Sequence, residues 1–150
     1  MIQRKQSLFL LLAFIATVVC LCLPIAEITP MGIGGSIKLY NLCIITSAGA
    51  NYSVCGLFGI LAMSAALSLG TIFLYNNRKL QSKFCVCNLF LLIAWYIVLG
   101  VTARNTSPVD FSFNLAFAAC LPAIAAILVF MARAGVIHDE KLVRAADRIR

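Results

Sequence analysis

The sequence predicts an all-α membrane protein: a four-transmembrane-helix bundle with a small extracytoplasmic β cap over loop 27–53 and a short cytoplasmic C-terminal amphipathic helix. Three observations carry this reading. Of 150 residues, 63% are hydrophobic and only 11% charged, against roughly 45–50% apolar and about 25% charged in an ordinary soluble domain. The apolar residues gather into four runs, 8–26, 54–75, 84–102 and 113–132, none containing Asp, Glu, Lys, Arg or His. Each is close to the roughly 20 residues that cross a bilayer core of about 30 Å. The basic residues, finally, cluster between alternate runs. A single soluble core could not hide this much apolar surface, and the low charge excludes a disordered tail or a nucleic-acid module. Residues 1–150 therefore read as one membrane domain.

The first run, 8–26, is rich in Leu, Ile, Val and Phe. At roughly −0.3 to −0.6 kcal/mol each, these favour insertion by about 4–7 kcal/mol. Arg4 and Lys5 before it imitate a signal peptide, but cleavage after Ala26 would put Pro24 at the −3 position, where a small residue is needed. Loop 27–53 opens with Pro30 and the Gly32-Ile33-Gly34-Gly35 cluster. The alternation of Ile37, Leu39 and Asn41 with Lys38, Tyr40 and Leu42, leading into Cys43-Ile44-Ile45, reads as strand, so a two- or three-stranded cap is expected. The second run spaces Ala62, Ala66 and Gly70 four apart, and the fourth is alanine-rich, with Ala119 and Ala123 among its small residues. Small residues allow close helix approach in lipid. Their expected use is packing within the bundle, with a homodimer face on the second run as the other reading. Pro122 is expected to kink the fourth helix and free a carbonyl near residue 118.

All Lys and Arg except Lys38 and Arg104 fall on one side: Arg4, Lys5, Arg78, Lys79, Lys83, Arg133, Lys141, Arg144, Arg148 and Arg150. A Lys/Arg excess marks the cytoplasmic side, so both termini are expected there. In the tail, 133–150, Gly135 is expected to end the fourth helix and Asp139 or Glu140 to begin a new one. Leu142, Ala145, Ala146 and Ile149 then form one apolar stripe, flanked by Arg144 and Asp147. This makes Leu142, Arg144, Ala146, Asp147 and Ile149 the candidate partner surface.

Chemistry-bearing constellations are few. The single histidine, His138, leaves no ligand set of recognisable spacing, so neither metal nor cofactor is expected. No nucleophile–base pair, phosphate loop or carboxylate dyad is visible. Transporters place acids or bases within their spans, whereas here the best polar candidates are Asn88, Asn114 and Ser64. Trp95 and Tyr96 lie near the middle of the third run, where the indole N–H and the phenol need partners, expected to come from neighbouring helices. Seven cysteines are present: Cys20, Cys22, Cys43 and Cys55 towards the exterior, Cys85 and Cys87 at the cytoplasmic start of the third run, and Cys120 mid-membrane. Cys20-Leu21-Cys22 and Cys85-Val86-Cys87 are not the Cys-x-x-Cys pair of a disulfide-generating enzyme.

Met1-Ile2-Gln3-Arg4 at the start and the stretch from Asp139 through Lys141, Arg144 and Asp147 to Arg150 at the finish resemble domain-of-unknown-function family 4293, small four-span bacterial inner-membrane proteins. The resemblance covers the whole chain and implies a Gram-negative inner membrane with an oxidising compartment outside. The layout of cytoplasmic ends, long first exterior loop and short second one is also similar to claudin-type four-span proteins, without the Trp and paired-cysteine signature of their first loop. With an oxidising exterior, Cys43 and Cys55 become the candidate disulfide, worth about 3 kcal/mol to the cap in the loop-entropy model. The expected role is a non-enzymatic interaction or accessory subunit of an envelope process, in contact with the bilayer and with a protein partner or a second copy, and not with nucleic acid. A membrane thiol-redox protein using exterior cysteines is the alternative, and a small transporter the third reading.

Overall fold

The computed structural model describes residues 3–30, 36–46, 49–74, 78–106 and 111–147. Four helices and five strands follow one another: α1 (Gln3–Cys22), β1 (Ala26–Pro30), β2 (Ile37–Leu39), β3 (Ile44–Thr46), β4 (Gly49–Asn51), α2 (Cys55–Phe73), α3 (Arg78–Thr106), β5 (Phe111–Leu115), a 3₁₀ turn (Phe117–Cys120) and α4 (Leu121–Asp147). The helices pack as a ring in which α1 touches α2 and α4, and α3 touches the same two. All five strands lie at one end of this ring.

Among the described residues, three stretches are long and apolar enough to cross a membrane: Cys55–Phe73, Leu80–Asn105 and Phe117–His138. The apolar part of α1, Gln6–Cys22, is shorter, although the whole 20-residue helix spans about 30 Å at 1.5 Å per residue. Large apolar side chains point outward along these helices, among them Phe73 (77% exposed), Phe90 (66%) and Phe130 (59%). Such continuous apolar exposure is anomalous in water and ordinary in lipid.

Several expected boundaries move. The first run was expected to remain helical to Ala26, but α1 stops at Cys22. Leu23 N–H closes the last turn on the Val19 carbonyl at 3.2 Å, and Pro24 then forces extended backbone on its neighbour. Ile25 N–H bonds the Leu39 carbonyl at 2.9 Å, and Ala26 already belongs to β1. The fourth run does not begin as helix at 113: Phe111–Leu115 is a strand paired antiparallel with β1, in register Ala26↔Leu115 to Pro30↔Phe111. Pro122 is the second residue of α4, directly after the 3₁₀ turn, so it stands where the α-helix begins and not in its interior. Gly135 does not end α4, which continues to Asp147. There a Cβ would stand 3.1 Å from Gln6 Cγ and 3.3 Å from its Nε2, so glycine serves the close approach of α1 and α4.

The cap is accordingly larger than the expected two or three strands. It is a five-stranded antiparallel sheet of order β4-β3-β2-β1-β5, drawn from both connections at that end. The single alternating strand read over 37–42 is a hairpin: Tyr40 N–H bonds the Cys43 carbonyl at 2.9 Å, and the chain reverses between β2 and β3. Ala26, Leu39 and Ile44 from the inner face share one buried cluster with Cys20, Leu57, Leu61, Leu92, Trp95 and Leu99 of the helices. Sheet and bundle have a common core.

Candidate functional site

Two buried polar clusters organise the molecule. The first lies where the sheet meets the helices and centres on Asn41, in the β2–β3 turn and 0% exposed. Its Nδ2 donates to the Cys20 carbonyl of α1 at 2.7 Å, with Cys20 Sγ at 3.8 Å. Its Oδ1 accepts from Trp95 Nε1 of α3 at 3.0 Å. Its backbone carbonyl accepts from Phe58 N–H of α2 at 3.1 Å. Trp95 is itself 0% exposed and meets the neighbouring Tyr96 edge-on at a centroid distance of 5.0 Å. The Tyr96 hydroxyl donates to the Ala119 carbonyl at 2.7 Å, in the 3₁₀ turn before α4. One loop residue thus ties three helices, and the residue beside its tryptophan partner ties the fourth. Each bond contributes about 0.5–1.5 kcal/mol net, while a partner left buried and unpaired costs about 1–3 kcal/mol, so the arrangement holds the sheet in one orientation.

The second cluster lies between α2 and α3. Ser64, Ser68 and Asn88 are all buried. Ser64 Oγ donates to Asn88 Oδ1, Asn88 Nδ2 donates to Ser68 Oγ at 2.8 Å, and Ser68 Oγ donates to the Ser64 carbonyl at 3.0 Å. The three side chains close a ring in which each hydroxyl proton has an acceptor. Two of the polar residues considered for transport therefore bond one another, and the third, Asn114, lies exposed on β5, outside the helices. Trp95 and Tyr96 were expected to find partners on neighbouring helices; Trp95 instead bonds Asn41 in the β2–β3 turn, and Tyr96 bonds the 3₁₀ turn that leads into α4.

Cys43 and Cys55 are not joined; all seven cysteines are free thiols. Cys43 is half-buried in the β2–β3 turn, whereas Cys55 opens α2 and is exposed, because the helix turns Val54 and Leu57 into the core. Cys120, expected mid-membrane, lies near the start of the apolar stretch Phe117–His138 and not at its middle. It ends the 3₁₀ turn on the sheet side and is exposed, which gathers Cys20, Cys22, Cys43, Cys55 and Cys120 at one end. The small-residue stripe of α2 lies off the packed face: Ala66 is exposed, Ala62 and Gly70 are half-buried, and nothing approaches within 4 Å of a Cβ placed at Gly70. The buried stripe is Leu57, Leu61, Ser64, Ala65, Ser68 and Thr71. In the fourth helical region, Ala119 is buried and Ala123 exposed. Leu142 is 49% exposed on α4, while the side chains of Arg144, Ala146 and Asp147, and Ile149 entirely, lie outside the described residues. Asn41 is the residue that sequence reasoning missed. A lone Asn inside an otherwise apolar alternation, on a β2 phase that would bury it, was the available signal.

Helices apolar enough for a bilayer, closed at one end by a sheet that shares their core, define a small helical protein of membrane type. Over residues 2–149 the chain matches the family model described as domain of unknown function (DUF4293), and it belongs to that family. No curated protein matches it.

Proposed function

We propose that this chain is an integral protein of a bacterial inner membrane, crossing four times with both termini cytoplasmic, and that it acts as a non-enzymatic interaction or accessory subunit presenting its sheet outside. The observation that carries this reading is the Asn41 clamp, which sets the sheet rigidly on the bundle. Rigid presentation is what a recognition surface needs, because ordering cost is met before the partner arrives. The outward row runs across the strands through Ala50, Ile45, Lys38, Glu27 and Asn114, a mixed polar and apolar surface suited to a protein.

The first test is orientation. Reporters active only outside the cytoplasm should work when fused after Gly49 or Ser107 and fail after Asn77 or Arg150; the reverse pattern overturns the topology. The second is contact. A photo-crosslinker at Lys38 or Ile45 should give a discrete protein adduct in native membranes, and labelling of lipid alone would refute the accessory role. One observation favours the thiol-redox alternative, the gathering of five cysteines at the sheet end. Serine at positions 20, 22, 43 and 55 would abolish function on that reading and leave it intact on ours.

A further inference from the structure

We propose that Arg133 forms an oxyanion site in the groove between α3 and α4, at the end of the bundle away from the sheet, and that it takes a phosphate group. Arg133 falls inside the apolar stretch Phe117–His138. On α4 it sits beside the buried stripe Ala125, Val129, Ala132 and Val136 and is itself half-buried. Its Nε is buried and has no hydrogen-bond partner among the described residues. On α3, which packs against α4, Cys85 is buried and lies close to the Arg133 guanidinium. A thiol cannot compensate a guanidinium. A buried N–H donor left without an acceptor costs stability, which an oxyanion bound to the guanidinium would recover.

The chemistry of that anion follows from geometry and depth. Guanidinium offers a planar fork that matches two oxygens of a phosphate or carboxylate. Arg133 lies about 7–8 Å along the helix from the end of the span at His138, a depth from which an arginine reaches headgroup level. The abundant oxyanion there is phosphate, and basic pockets between helices on the cytoplasmic side receive lipid headgroups. The orientation belongs to the reading proposed above; the site itself needs only the bundle. The phosphate group comes from an anionic lipid or from a soluble phosphate compound, and the test separates the two.

The full-length protein is placed in nanodiscs of phosphatidylcholine, with or without phosphatidylglycerol, and in phosphatidylcholine with millimolar inorganic phosphate. Native mass spectrometry of the released protein should show phosphatidylglycerol retained at least about tenfold over phosphatidylcholine, a difference of about 1.4 kcal/mol. Arg133→Gln should abolish that preference and Lys83→Gln, at an exposed position, should keep it. Displacement of the lipid by inorganic phosphate assigns the site to soluble phosphates instead. An unchanged preference in Arg133→Gln overturns the proposal. Should that variant not fold, the wild-type protein decides: with ¹⁵N-labelled arginine, one Nε–H resonance must shift on adding phosphatidylglycerol or phosphate, and no shift refutes the site. Both leaflets of a nanodisc carry the same lipid, so a reversed orientation would fail the reporter fusions and leave this result untouched.

Discussion

Replacing Asn41 should loosen the whole sheet end of the molecule. Asn41→Leu keeps a side chain of similar size while removing both amide bonds, leaving the Trp95 indole N–H and the Cys20 carbonyl buried without partners. At about 1–3 kcal/mol for each stranded group, the expected loss is about 2–6 kcal/mol, a large share of the roughly 5–15 kcal/mol that holds a natural domain. The bond from Phe58 N–H should survive, since it uses the Asn41 backbone carbonyl. The chain has one tryptophan, so its fluorescence reports on this cluster alone. In detergent micelles Asn41→Leu should shift the emission to the red, quicken quenching by iodide and lower the denaturation midpoint.

Asn41→Asp supplies a control with its own sign. Its carboxylate can accept from Trp95 but cannot donate to the Cys20 carbonyl, so the folded state favours the protonated form. The introduced carboxyl therefore has a folded pKa above the ordinary value of about 3.9. The stabilisation linked to that proton is fully present below about pH 4 and lost as pH rises through the raised folded value. Asn41→Asp should thus approach wild type near pH 4 and fall away by pH 7, while Asn41→Leu shows no such recovery. Unfolding of Asn41→Leu within about 0.5 kcal/mol of wild type, with unchanged emission, would refute the clamp.

The other predictions are brief. Asn88→Val breaks the ring between α2 and α3 and should cost about 0.6–2 kcal/mol in the membrane-embedded state, read from unfolding in mixed micelles; an unaffected midpoint contradicts the ring's role. Gly135→Ala should change stability by no more than about 1 kcal/mol, because the gain in helix propensity offsets a slight displacement of the buried Gln6 side chain, whereas Gly135→Leu should cost about 1–3 kcal/mol by overpacking. Alkylation without reductant, followed by mass spectrometry, should find Cys43 and Cys55 both modified; a peptide pair two hydrogens lighter would restore the disulfide. Leu142→Asp with Ile149→Asp should leave insertion intact and abolish any cytoplasmic partner adduct, and an adduct that persists removes the tail as a contact surface.

Helices were legible where composition alone determines them. Uncharged runs of about 20 residues admit few alternatives, and α2 and α3 stand close to the runs that foretold them. Their ends were less legible, because end positions depend on partners remote in sequence. Leu23-Pro24 marks the stop of α1 only once Ile25 is seen to bond Leu39. Phe111–Leu115 is apolar enough to continue into the fourth run, and only pairing with β1 makes it a strand. Pro122 and Gly135 illustrate one limitation from two sides. The same residue types begin, kink, end or closely pack a helix, and their neighbours decide which. Trp95 carried a readable demand for a partner, whereas the identity of that partner, across 54 residues of chain, did not follow from periodicity.

The two ends of the bundle obey opposite rules of satisfaction. At the sheet end the central buried polar groups are matched within the chain: Asn41 with Cys20 and Trp95, and Tyr96 with Ala119. In mid-bundle Ser64, Ser68 and Asn88 match one another. At the far end Arg133 keeps a buried donor unmatched. Satisfied networks rigidify, whereas a buried donor without an acceptor leaves a bond that something outside the chain can complete. On the two proposals above, such a protein would offer a fixed surface on the sheet side and a ligand-dependent one on the other. Occupancy of the Arg133 groove would then stabilise α4 against α3, and it would leave the presentation of the sheet unchanged, because the Asn41 clamp makes no use of that groove.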